Sequence, residues 1–100
     1  MPTYLVIATP VAAHLHELSE MLDGDLIDSM EPFGEEMAQA LRQARVEPEG
    51  DAVWEEVCFC PTPLAQERAA VLDRYFDDIR TTEVSRHEGW RRIESLPKLF

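Results

Sequence analysis

Basic side chains are scarce in this 100-residue chain. Nine Lys and Arg stand against twenty Asp and Glu, a formal charge of −11. A surface that negative repels phosphate backbones, which argues against nucleic acid as a partner. Glycine is scarce too, at four residues. No phosphate-cradling loop, dinucleotide fingerprint, nucleophile elbow or zinc-protease signature is present. Those gaps speak against several large enzyme classes without excluding catalysis. No apolar run approaches the roughly 20 residues needed to span a bilayer. The N-terminus shows no basic region leading into a long apolar one. A cytoplasmic protein with no membrane partner is therefore expected. The two cysteines, Cys58 and Cys60, should remain thiols in that reducing compartment.

What is present suits one folded domain spanning residues 1–100. The apolar fraction is 45%, enough for a single modest core and too much for a disordered chain. Charge is unevenly spread. Residues 1–79 hold 17 acids and 4 bases, whereas residues 80–100 hold 3 acids and 5 bases. A solvated acidic surface that maintains solubility is expected; the alternative is that the basic tail meets an acidic face of its own subunit or of a partner.

Val53 to Ile79 organises the rest. A β-forming apolar run stops at Pro61-Thr62-Pro63 and restarts with helical spacing, a strand feeding a helix. Ahead of it, Tyr4–Thr9 is a continuous apolar run that suits a central strand covered on both faces. Leu15, Leu18, Met21 and Leu22 then recur three and four apart, predicting a short amphipathic helix broken at Asp23-Gly24-Asp25. Leu26, Ile27 and Met30 should point inward from a turn or loop. A second helix is expected from Ser29 or Glu31, with Pro32 in its first turn and Phe33, Met37, Ala40, Leu41 and Ala44 on its buried side. Gly34 costs helix stability there; close packing against another backbone would account for it. After a turn at residues 47–51, a strand over 52–60 should carry Val53, Glu55, Val57 and Phe59 on one face. Its other face should carry Ala52, Trp54, Glu56, Cys58 and Cys60.

Thr62 is the expected N-cap of the next helix, with Pro63 at its first position. That helix should bury Leu64, Val71, Leu72, Tyr75, Phe76 and Ile79. Asp77 and Asp78 would then sit unfavourably at its C-terminus, with Arg74 facing Asp78. Thr81, Thr82 and Val84 predict an edge strand over 80–86. Trp90–Ile93 is the one stretch left to supply a fourth strand, and the apolar end of the chain should dock.

Several groups could carry chemistry. A carboxylate on a mostly apolar strand face should hold its proton more tightly unless paired, so Glu55 and Glu56 are acid–base candidates. The alternative is an ion pair to an arginine. Cys58 and Cys60 are the weak metal candidates, as soft thiolates suit zinc or copper; as a buried residue, Cys is more commonly a small hydrophobe. His14 and His16 diverge by about 200° on a helix, leaving His16 to face Glu20 and His14 to face Glu17. Asp73, Asp77 and Asp78 read as a solvated face rather than a hard-cation site. Arg86, Arg91 and Arg92 could clamp an anionic ligand or neutralise the acidic body, and Trp54 and Cys58 could line a ligand cavity with them.

The order strand, helical region, strand, helix, strand resembles a ferredoxin-like unit, carried by Tyr4–Thr9 and Val53–Ile79. It is similar to the dimeric α+β barrel superfamily, whose units pair their sheets around a shared cavity. That superfamily includes small monooxygenases, isomerases and ligand-sensing domains. The resemblance implies an α+β fold with a sheet of three to four mainly antiparallel strands and helices on one face. The other face, holding Trp54, Cys58 and Cys60, would need a cover, which predicts a homodimer. The function expected is a non-catalytic binding or interaction module, with a small molecule or a protein as partner and no cofactor. One alternative is a small-molecule enzyme using Glu56 as general acid or base; another is a thiolate metal site at Cys58 and Cys60.

Overall fold

The computed structural model describes residues 2–58, 62 and 64–100. Strand β1 (Thr3–Pro10) leads through a short 3-10 turn into helix α1 (Leu15–Asp23), followed by α2 (Gly34–Arg42). Two strands follow, β2 (Arg45–Val46) and β3 (Ala52–Val57). A helical segment comes next: α3 (Ala65–Glu67), a π-helical turn (Arg68–Leu72) and α4 (Asp73–Tyr75). Strand β4 (Phe76–Val84) and helix α5 (Glu88–Ile93) complete the order. The sheet is antiparallel throughout with order β2-β3-β1-β4. This is the expected α+β class, in a ferredoxin-like strand order.

β1 is central because its side chains are apolar on both faces. Val6 and Ala8 point toward Trp54, Phe76 and the buried sides of α1, α2 and the 64–75 segment, which form the main core. Leu5 and Ile7 point the other way, with Val53, and meet Ile93, Trp90 and Leu96. The face carrying Trp54 and Cys58 is therefore covered by the chain's own helices. That closes from within the bare face on which a homodimer was expected. α5 adds a small cover on the opposite face.

The period-two alternation placed the β3 side chains correctly, yet four boundaries moved. β3 ends at Val57, with Cys58 just beyond it; Phe59 and Cys60 lie outside the described residues. α2 begins at Gly34, so Pro32 precedes the helix instead of opening it. Within the preceding loop Ile27 is buried and Met30 packs on the core, but Leu26 points outward. Helix α3 starts at Ala65, and Thr62 contributes its carbonyl, accepting from the Ala65 N–H at 3.1 Å, rather than a side-chain cap. Pro63 lies outside the described residues.

The largest shift is at Tyr75. The helix ends there and Phe76 turns extended, with φ −138° and ψ 140°. Phe76 thereby lies opposite Pro10 of β1 and reaches Trp54, at a ring-centroid distance of 4.9 Å. Asp77 and Asp78 are consequently on an edge strand, not at a helix end. Arg74, cut off from Asp78, pairs with Glu17 of α1 at 2.8 Å. Trp90–Ile93 is helical, and the fourth strand is the two-residue β2. The chain end docks as expected: Val46 N–H donates to Pro97 O at 2.8 Å and Leu99 N–H to Ala44 O at 2.9 Å.

Candidate functional site

Two places on β3 merit a functional reading, one inside the molecule and one at its edge. The inner one is a pair of carboxyl groups. Glu56 projects from the helix-covered face and is 2% exposed, and Glu67 of α3 is fully buried. Trp54 Nε1–H donates to Glu56 Oε1 at 2.9 Å, while among the described residues Glu56 Oε2 accepts no hydrogen bond. Burial raises the Glu56 pKa to about 8, the Trp54 bond opposes this, and the nearby negative charges of Glu67 and Glu36 add to the rise. Glu56 therefore holds its proton at neutral pH.

Glu55, one residue earlier, faces the opposite side and does something else. Its carboxylate accepts the N–H of Gly89 at 2.8 Å and that of His87 at 3.0 Å, fastening the first turn of α5. No arginine is its partner. Gly89 makes the approach feasible, since a Cβ there would fall 3.0 Å from Glu55 Oε1 and 3.1 Å from Leu5 Cδ1. Glu55 is a positioning residue for α5.

The outer place is the edge of β3. Glu47 N–H donates to Asp51 O at 2.8 Å, and hydrogen-bonded pairs recur at every second residue of an antiparallel ladder. Arg45 and Val53 are therefore such a pair, in the observed register. It follows that Glu55 and Val57 direct their amide and carbonyl groups to the same side. Cys58 N–H, donating to Pro2 O at 3.0 Å toward β1, fixes the opposite set. β2 ends after its two residues, so among the described residues no strand faces Glu55 and Val57 on that side. A groove occupies the vacated lane, walled by α2 and α5. Adjoining clefts of about 170 and 210 Å³ open into it. Glu36 and Gln39 line the first with Val57, Arg86, His87 and Trp90. The second shares His87 and Trp90 and adds Gln43, Arg45, Arg91 and Glu94.

The predicted site residues thus separate. Arg86 and Arg91 meet at the groove around Trp90, and among the described residues neither has a salt-bridge partner. Arg92 turns away and pairs with Glu88. Trp54 is fully buried against Phe76, and Cys58 is buried with its Sγ accepting the Leu64 N–H at 3.2 Å. Among the described residues no cluster of three or more His, Cys, Asp or Glu comes together; Cys60 lies outside them. Asp73 pairs with Arg68 and Asp78 with Arg80, and His16 meets Glu20 at 2.9 Å as expected. Glu17 goes to Arg74 and the Tyr75 hydroxyl, whose hydrogen bonds lower its pKa to about 2. His14 instead packs edge-on to Tyr75.

Sequence reasoning missed Glu67, although it falls three residues after Leu64 and four before Val71, on the apolar stripe. It also missed Gln39, Gln43 and Trp90 as groove residues, for which only folding supplies the neighbours. No helix among the described residues is long and apolar enough to cross a membrane. The chain matches no protein-family model, no curated protein and no solved structure.

Proposed function

We propose that the chain is a non-catalytic interaction module whose docking surface is the groove between α2 and α5. The observation that carries this reading is the meeting of open backbone, a half-buried tryptophan and two uncommitted arginines at one concave place. On a chain of net charge −11, Arg86 and Arg91 have no salt-bridge partner among the described residues, although Glu36, Glu55 and Glu94 line the same clefts. Such arginines suit recognition of an anionic group. The enzymatic alternative has less support. Glu56 is poised as an acid, but the clefts found among the described residues reach Glu55 and not Glu56, Glu67 or Trp54. A thiolate metal site would need Cys58, which is enclosed and hydrogen-bonded.

Membership of the dimeric α+β barrel superfamily is supported by the strand order alone. With one sheet face filled from within and the other covered only in part by α5, self-association is left with that second face, the groove and the sheet edges. Amide-shift mapping of the ¹⁵N-labelled chain separates these readings. Titration with mixed pools of extended decapeptides should move Gln39, Gln43, Glu55, Val57 and Trp90, while small carboxylic acids leave Trp54, Glu56 and Glu67 unmoved. Small-molecule shifts centred on Trp54, Glu56 and Glu67 would contradict the proposal and favour the enzyme. Shifts of the groove residues on raising the protein concentration alone would identify a second copy as the occupant.

A further inference from the structure

The sheet has two open edges, and they differ in kind. β4 presents nine residues, but its pairing with β1 is interrupted by a register shift between Ile7 and Thr9, beside Asp78 at φ 50°. Asp77, Asp78 and Glu83 lie along it. A bulge, a left-handed residue and repeated charge are the devices by which edge strands refuse a neighbour. The β3 edge has neither bulge nor left-handed residue, and its Glu55 carboxylate is tied to α5: Thr3 to Ala8 pair with Val57 to Ala52 in unbroken register. Its outer backbone groups at Glu55 and Val57 lie at the floor of a groove.

Building on the groove reading, we infer that this edge accepts an extended peptide segment as an added strand, with carboxylates at alternate positions. Strand addition satisfies the two open amides and two open carbonyls with main-chain bonds. The period of two in such a segment sends one set of its side chains toward α5 and the other toward α2. On the α5 side they meet Trp90, Arg86 and Arg91, with Glu94 lining the same cleft as Arg91. The two arginines, having no salt-bridge partner among the described residues, favour acidic groups with apolar stems. On the α2 side they meet Gln39, Gln43 and Glu36, which disfavour carboxylates and suit small or amide side chains. Alternation of acidic and uncharged residues follows from the groove's two walls.

The test uses a fluorescent decapeptide alternating glutamate with threonine and two N-methylated forms, one blocking each hydrogen-bonding edge of the strand. Glutamine and lysine analogues are the charge controls. The acidic peptide should bind and shift the Glu55 and Val57 amides. One N-methylated form should lose at least tenfold in affinity and the other should not, because only one edge faces β3. Arg86→Glu with Arg91→Glu should also weaken binding by about tenfold, the sum of two charge reversals at a rim. Both arginines are exposed, so this variant keeps the fold. Equal binding by both N-methylated forms would overturn strand addition while leaving the groove as a docking surface. Preference for the lysine analogue at the same residues would overturn the acidic partner alone. No shift of groove residues with any of these peptides or the mixed pools would overturn both inference and proposed function.

Discussion

Gly34→Ala should lower the stability of this domain by at least about 3 kcal/mol, a size reached when a packed site cannot yield. A Cβ on Gly34 would lie 2.0 Å from Ile27 O and 3.0 Å from Met30 Cβ. The obstacle is backbone, held in a loop whose Ile27 is fully buried and whose Met30 O accepts the Gly34 N–H at 2.7 Å. Arg42 fastens the same loop from the far end of α2, reaching Leu22 O and Asp28. The loop cannot retreat without losing those bonds. Helix propensity alone gives the opposite sign, since alanine stabilises a helix interior by about 1 kcal/mol over glycine. Thermal melting decides between them: the midpoint should fall by roughly 15 °C for a domain of this size. An unchanged or raised midpoint would mean that Gly34 is an ordinary helical glycine.

Glu56→Gln should stabilise the domain at alkaline pH by on the order of a few kcal/mol and do little at acid pH. The folded pKa of Glu56 is about 8, against 4.5 for the free side chain. Below 4.5 both states are protonated and the contribution is fully present. Between the two values the folded state binds the extra proton, so stability falls as pH rises, by about 1 kcal/mol per pH unit, and levels off above 8. Glutamine keeps an acceptor for Trp54 without an ionisable group, so its stability should be flat over that range. Glu17 acts in the other direction. Its lowered pKa gives stability that is present above 4.5 and lost as pH falls toward 2. Denaturant melts from pH 3 to 9 should therefore show the wild type most stable at about pH 5. A wild type that gains stability from pH 5 to 8, in step with the variant, would show that Glu56 is ionised in the folded chain.

Gly34 was visible in the sequence as a local cost within a helical pattern, and the backbone against it is its reason. Glu56 was visible as a carboxylate on an apolar strand face. Its partner Glu67 lies eleven residues away on a helix, and no periodicity links the two. The boundary at Tyr75 was hidden because Val71, Leu72, Tyr75, Phe76 and Ile79 keep helical spacing while the backbone changes. β2 was hidden because two residues carry no pattern. Trp90–Ile93 is too short to show a period, and it is helical because Glu55, from another strand, holds its first amides. Local period was read well; partners supplied by other elements were not.

The account rests on an open β3 edge, and amide hydrogen exchange of the free chain reads that edge directly. Trp54 and Glu56 point their amides into the ladder with β1, and Glu55 and Val57 point theirs into the groove. The account predicts protection alternating along one strand, with Glu55 and Val57 exchanging at least tenfold faster than Trp54 and Glu56. Uniformly slow exchange over residues 54–57 would mean that the lane beside β3 is already filled, and the proposed docking surface would fall with it.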